Sequence, residues 1–248
     1  MSYVKIMMTY ELLFFTFLKE CFTIQQHTDY QMWKKGGWSR MNTVLVVNAK
    51  GGCGKTTLST NLASYFATNE LKTVLVDFDP QQSSMEWLKE RNPDHYYEIE
   101  GISPFEHRLR FASDVDRVVL DAPARIVGKQ LTDLVRRSDI ILVPVLPSPI
   151  DMRAAAHFID DLLMTGHIEE KKIAVVANRV RENTIIYQQL NKFLKHLKIP
   201  FLASIRDSQN YIHAAEKGLG IFDMPWYQVS HDIEQWKPLI RWINRNLD

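Results

Sequence analysis

Two cysteines in 248 residues, Cys21 and Cys53, are too few for a disulfide framework or a four-thiolate metal site, and they fit a reducing cytoplasm. An excess of charge is missing too. Thirty Lys and Arg against 29 Asp and Glu leave a formal net charge of +1, so no global field draws the chain toward nucleic acid. Affinity for DNA or a membrane must then come from a local patch. A hydrophobic run of bilayer length is absent: residues 6–18 come nearest, but Thr9, Tyr10, Glu11 and Thr16 interrupt them and they are too few. Lys5 precedes that stretch, yet no small-x-small cleavage site follows, which argues against a signal peptide. Internal repeats and low-complexity linkers are lacking as well. What remains is an ordinary globular composition, 46% hydrophobic and 24% charged, long enough for one large α/β domain with a buried sheet.

The first 40 residues differ from the rest. The apolar stretch gives way to polar residues 25–31 and then to Trp33-Lys34-Lys35-Gly36-Gly37-Trp38, with no clear period. Met41 stands directly before the first convincing strand. Residues 1–40 read as an N-terminal appendage, either an upstream in-frame extension of a protein starting at Met41 or a membrane-attached or partner-binding helix. Residues 41–248 read as the folded domain.

From Thr43 onward the pattern is strand, turn, helix, repeated. Short β-branched runs at 43–47, 73–76, 117–120, 140–143, 172–177 and 201–205 predict six strands buried on both faces. Helical periodicity falls between them, at 55–68, 84–91, 129–137, 151–163, 184–197, 210–217 and 232–246. Such alternation implies a doubly wound, mainly parallel α/β sheet flanked by helices. Polar residues gather just after strand carboxyl ends: Lys50, Asp77, Asp79, Asp121 and Asn178. In open α/β sheets that edge binds ligands.

Ala49-Lys50-Gly51-Gly52-Cys53-Gly54-Lys55-Thr56 lies between the first strand and the first helix and matches the phosphate-loop pattern G-x-x-x-x-G-K-S/T, with Ala49 in place of the first glycine. Gly51, Gly52 and Gly54 let the backbone fold with its amides facing a phosphate. The helix that starts at Lys55 adds its positive end. Lys55 can reach β- and γ-phosphates, and the Thr56 hydroxyl can ligate Mg²⁺. Lysine and threonine serve no packing purpose in a plain strand–helix turn.

Lys50 to Thr57 read K-G-G-x-G-K-T-T, which resembles the deviant Walker A motif of the ParA/MinD ATPases, most closely the small plasmid-type partition ATPases. Val76-Asp77-Phe78-Asp79-Pro80-Gln81 is similar to that family's first switch, Asp121-Ala122-Pro123-Ala124 to its Walker B strand and second switch with Ala122 where threonine is usual, and residues 143–151 to its V-P-x-x-P-S-x-x-D run. The resemblance covers residues 41–248 and is most specific up to Asp151. It implies a P-loop fold and a weak ATPase using ATP and Mg²⁺. Nucleotide would be held by Gly51, Gly52, Cys53, Gly54, Lys55, Thr56, Thr57 and, at the adenine, Asn178. Mg²⁺ would be held by Thr56, Asp77 and Asp121. Asp79 would orient the attacking water, and Lys50 would reach the partner's phosphates in an ATP-sandwiched homodimer. Arg179 and Arg181 stand where a GTPase motif N-K-x-D would carry lysine and aspartate, so adenine is favoured.

The resemblance further implies a cytoplasmic, nucleoid-associated switch that positions plasmid, chromosome or protein-organelle cargo, with a small adaptor or ParB-like protein as activator. A basic run between Lys171 and Lys198, opposed by Glu182 alone, marks Lys192, Lys195, Lys198 and the nearby Arg206 as candidates for sequence-independent contact with duplex DNA. The rival is a MinD-like membrane-cycling ATPase. Its terminal amphipathic helix would correspond to Ile233, Trp236, Ile240, Ile243 and Leu247, but acids offset the basic residues and Pro238 interrupts the segment, so a helix closing over the core is favoured. Only Cys53 falls in the domain, which excludes a cluster-bridged iron protein, and the single phosphate loop excludes the two-loop arsenite-pump type.

Overall fold

Runs of Val, Leu and Ile without polar alternation belong to strands covered on both faces, and in the computed structural model each of those runs joins one parallel sheet. The structure describes residues 41–104, 109–181, 184–194 and 199–247. The N-terminal appendage, Lys195 and Lys198 lie outside them. The strands are β1 Asn42–Val46, β2 Thr73–Asp77, β3 Ile99–Ile102, β4 Arg117–Asp121, β5 Ile140–Val145, β6 Ile173–Val180 and β7 Phe201–Arg206. Their order is β3-β2-β4-β1-β5-β6-β7, and every adjacent pair is parallel. The helices are α1 Lys55–Thr68, α2 Ser83–Lys89, α3 Gly128–Arg136, α4 Pro149–Met164, α5 Ile185–Leu194, α6 Gln209–Ala215 and α7 Trp226–Leu247. The doubly wound expectation therefore holds.

One sheet face presents Val44, Val46, Leu75, Val119, Leu142 and Val176 to Leu58, Leu62 and Phe66 of α1 and to Trp236, Leu239 and Ile243 of α7. The alternate residues Leu45, Val118, Leu120, Ile141 and Val143 are equally buried, so the sheet is covered on both sides. Helix α1 is buried nearly all round, and two of its polar residues have partners on other elements. Asn61 Oδ1 accepts from the Ile221 amide at 2.8 Å, and Ser64 Oγ donates to Asp223 Oδ2 at 2.7 Å. Asp223 in turn forms a fully buried ion pair with Arg91, whose guanidinium also donates to the carbonyls of Tyr97 and Gly218.

Three elements depart from the sequence expectation. Strand β3 is an additional edge strand with the mixed burial of Ile-Glu-Gly-Ile, paired on one side with β2. Strand β5 continues through Pro144. Its pairing with β1 ends at Val46–Leu142, so the missing Pro144 N–H falls beyond the ladder, while the Pro144 carbonyl accepts from Asn48 Nδ2 at 2.8 Å. Helix α7 begins at Trp226 and runs through Pro238. A mid-helix proline costs about 3 kcal/mol. The same helix buries Val229, Trp236, Leu239, Ile243 and Leu247, each worth roughly 1.5–3 kcal/mol, so packing wins. Ile233 and Ile240 rest half-buried against the same core, which makes α7 the closing helix favoured from sequence.

Candidate phosphate-binding site

The parallel register sets the site. Asp121 pairs level with Val46 across β1–β4 and with Asp77 across β2–β4, so the phosphate loop leaves β1 beside a strand end that carries a carboxylate, with a second one strand further out. Asn48 anchors the loop's start through Pro144, and its Oδ1 accepts from the Lys50 amide at 3.1 Å. Gly52 and Gly54 take left-handed φ values of 74° and 90°. A Cβ on Gly54 would stand 2.0 Å from Asn178 Nδ2, so only glycine fits this approach. Asn178, itself buried, donates to the Cys53 carbonyl at 2.8 Å and thereby braces the loop from β6.

The loop feeds directly into α1, whose first turn leaves its amides free for an anion. Lys55 is buried, with Nζ 3.4 Å from the Lys50 carbonyl. Cys53 lies beneath the loop with Sγ donating to that same carbonyl at 3.2 Å, and burial pushes its thiol pKa up. The second switch joins the loop where the Arg125 amide, on a residue with φ 60°, donates to the Ala49 carbonyl at 2.9 Å.

A cavity of about 630 Å³ opens at this edge. It is lined by Gly51, Gly52, Gly54, Lys55, Thr56 and Thr57, by Asp79, Pro80, Gln81 and Ser83 of the first switch, by Pro123 and Ala124, and by Asn178, Arg179, Arg206, Asp207, Ser208 and Tyr211 at its far end. The structure thus brings together most of the nucleotide residues expected from sequence. Lys50 is absent from that lining: its half-exposed ammonium points to Asp151 Oδ1 at 3.9 Å, near the start of α4.

Under the cavity floor sit two carboxylates with different tasks. Asp77 was expected to hold Mg²⁺, but both oxygens of this buried group already accept backbone amides, Oδ1 from Asp79 at 2.9 Å and Oδ2 from Ser84 at 2.8 Å. These two bonds brace the first switch. Asp121 Oδ2 accepts from Ser84 Oγ at 2.7 Å, whereas Oδ1 is buried with no donor in hydrogen-bonding geometry. Burial, reinforced by the Asp77 charge, pushes the Asp121 pKa up to about 7, against the pull of Ser84, Thr56 and Lys55. An orphaned carboxylate oxygen beside the Thr56 hydroxyl fits a hydrated Mg²⁺, which takes one or two protein oxygens and completes its shell from water and phosphate. Among the described residues no cluster of three or more His, Cys, Asp or Glu forms an all-protein metal cage.

Two residues make contacts that sequence reasoning did not foresee. Ser84 links the two carboxylates, and its only sequence signal is a hydroxyl in the first turn of a helix that starts at a switch. Arg206, the DNA-contact candidate, pairs with fully buried Asp232 at 2.6 and 3.1 Å, and its backbone amide is held by Gln235. Lys192 is exposed on α5.

A family model described as the CobQ/CobB/MinD/ParA nucleotide binding domain matches residues 44–221. The chain belongs to this family. Among curated relatives, the CobQ/CobB/MinD/ParA chain is 29% identical over 189 residues to the Maintenance of carboxysome distribution protein A of Halothiobacillus neapolitanus, covering 73% of this chain and 87% of that protein. A shorter match, 59% identical over 39 residues, joins 16% of this chain to 15% of the chromosome-partitioning ATPase Soj of Treponema pallidum. Among solved structures, a plasmid partition protein from Borrelia burgdorferi bound to AMPPNP superposes with a TM-score of 0.67 at 16% identity, covering 83% of this chain and 99% of that one. The MinD cell division protein of Aquifex aeolicus gives 0.62 at 16% identity, covering 82% and 95%. At such identities the structural likeness establishes the fold.

Proposed function

We propose that this chain is a partition-type ATPase that binds ATP with Mg²⁺, dimerises around it, and uses slow hydrolysis to distribute a cargo over duplex DNA. The observation that carries the reading is the convergence of Lys55, Thr56 and Asp79 on one cavity, with the orphaned Asp121 oxygen beneath it. Loop amides and the α1 terminus cradle the phosphates, Lys55 neutralises the β- and γ-phosphates, and Asp79 orients water for attack. Mg²⁺, when bound, supplies further charge neutralisation there, held by Thr56 and through water by Asp121. Lys50 lies outside its own cavity, available to a second copy. Likeness to a carboxysome-distribution protein over most of that protein's length favours a protein-organelle or plasmid cargo with an adaptor partner.

DNA contact rests on Lys192, with Lys195 and Lys198 beside it in sequence, and dimerisation doubles any such patch. The membrane-cycling alternative is weakened because the apolar face of α7 is buried against the core. The test is ATP turnover and filter retention of arbitrary duplex DNA. Asp79→Ala should bind ATP and dimerise without hydrolysis. Removing charge at Lys192 and Lys195 should weaken retention on every sequence and flatten its salt dependence. Retention of liposomes, and not of DNA, by the ATP-bound protein would reverse the preference.

A further inference from the structure

We propose that Ser84 is a positioning residue that fixes the plane in which the Asp121 carboxylate meets the nucleotide's cation and ties that orientation to the placement of Asp79. The inference rests on the nucleotide-site reading above.

Ser84 is fully buried and bonded in two directions. Its amide donates to Asp77 Oδ2 at 2.8 Å and its hydroxyl to Asp121 Oδ2 at 2.7 Å. Asp77 Oδ1 accepts from the Asp79 amide at 2.9 Å. Three hydrogen bonds therefore run Asp79–Asp77–Ser84–Asp121, from the water-orienting residue at one end to the metal-facing carboxylate at the other. The strand register keeps the middle of this chain rigid, because Asp77 and Asp121 are direct neighbours across β2 and β4.

A serine hydroxyl has one proton to give, and here it goes to Oδ2. That leaves Oδ1 as the buried oxygen without a donor. Carboxylate rotation about its last torsion is otherwise soft, so without the hydroxyl the carboxylate plane would turn more freely. Stabilising the start of α2 does not explain the contact. Asp77 already accepts the Ser84 amide, a group that every residue but proline supplies, so the hydroxyl adds something that helix initiation does not need.

The experiment uses the full chain with Ser84→Ala and Ser84→Thr and measures ADP binding by calorimetry, first in EDTA and then across a MgCl₂ titration, with thermal unfolding alongside. Ser84→Ala should bind ADP in EDTA as the wild type does, and should need about tenfold more MgCl₂ for half of the magnesium-dependent tightening, the loss expected for one charge-assisted hydrogen bond. Ser84→Thr, which keeps the hydroxyl, should restore the wild-type midpoint. An unchanged magnesium midpoint in Ser84→Ala overturns the proposal. So does an equal loss of affinity with and without magnesium, since that marks a merely structural contact. If Ser84→Ala is insoluble, Ser84→Cys, with similar shape and a weak donor, carries the same comparison. A wild-type chain that binds no ADP would overturn the nucleotide reading itself, an outcome distinct from the Ser84 result.

Discussion

Gly54→Ala tests the architecture of the phosphate loop in a way that can be worked out beforehand. The new methyl meets two separate penalties. Holding alanine at φ 90° costs on the order of 1–2 kcal/mol. The methyl would also sit 2.0 Å from Asn178 Nδ2, so Asn178 must swing away and abandon the Cys53 carbonyl it holds at 2.8 Å. Leaving that buried acceptor bare adds roughly 1–3 kcal/mol. The sum is about 3 kcal/mol, or a fall in Tm of roughly 6–12 °C for a domain of this size. Asn178→Ala alone should cost about 1–2 kcal/mol, through the lost hydrogen bond only. In the double variant the clash is gone and the bond is lost once, so the combined cost should fall short of the sum by about 1–2 kcal/mol. Urea unfolding of the four proteins measures this coupling. Additivity within about 0.3 kcal/mol would refute the claim that Asn178 is what the loop closes against.

Lys55→Ala should abolish most ATP affinity in calorimetry, because the buried ammonium is the cation at the phosphate end of the cavity. Lys50→Ala should retain that affinity yet stay monomeric with ATP in light scattering, since Lys50 points out of its own cavity. Asp121 carries a pKa pushed up to about 7 in the fold. Between about pH 4 and 7 the unfolded carboxylate ionises while the folded one stays protonated, so its contribution to stability declines as pH rises through that window. Asp121→Asn should therefore flatten the pH dependence of the nucleotide-free protein and raise its Tm at pH 8, and an unchanged profile would contradict the buried carboxylate's role. A chain starting at Met41 should fold and turn over ATP like the full chain, checked by circular dichroism and phosphate release.

The glycine-rich loop was legible in the sequence because its backbone geometry is local. Glycines at 52 and 54 and a lysine at the first helical position define a phosphate loop whatever surrounds it. Strand runs such as Val74-Leu75-Val76 were equally plain, because burial on both faces removes polar alternation. What sequence reasoning misplaced depends on partners far along the chain. Strand β3 escaped because a four-residue edge strand needs neither continuous apolar residues nor strict alternation. The early start of α7 and its passage through Pro238 depend on a core that packs Trp236 against Phe222 and Tyr211. The contacts that Asp77 makes with Ser84, and Arg206 with Asp232, join residues whose pairing no local pattern announces.

The strand order also bears on how the molecule is made. Strand β1, which launches the phosphate loop, has no sequence neighbour beside it: its partners are β4 and β5, and the bonds joining them span 75 to 96 residues. During synthesis the loop therefore leaves the ribosome long before the strand ends that will flank it, and Gly54 lacks the side chain it closes against until Asn178 has emerged. Closing loops of that size must precede any reward from the contacts they make, a topology associated with slow folding and a prolonged exposure of apolar strands. A fragment ending before β5 would hold the whole motif yet lack the wall that shapes it.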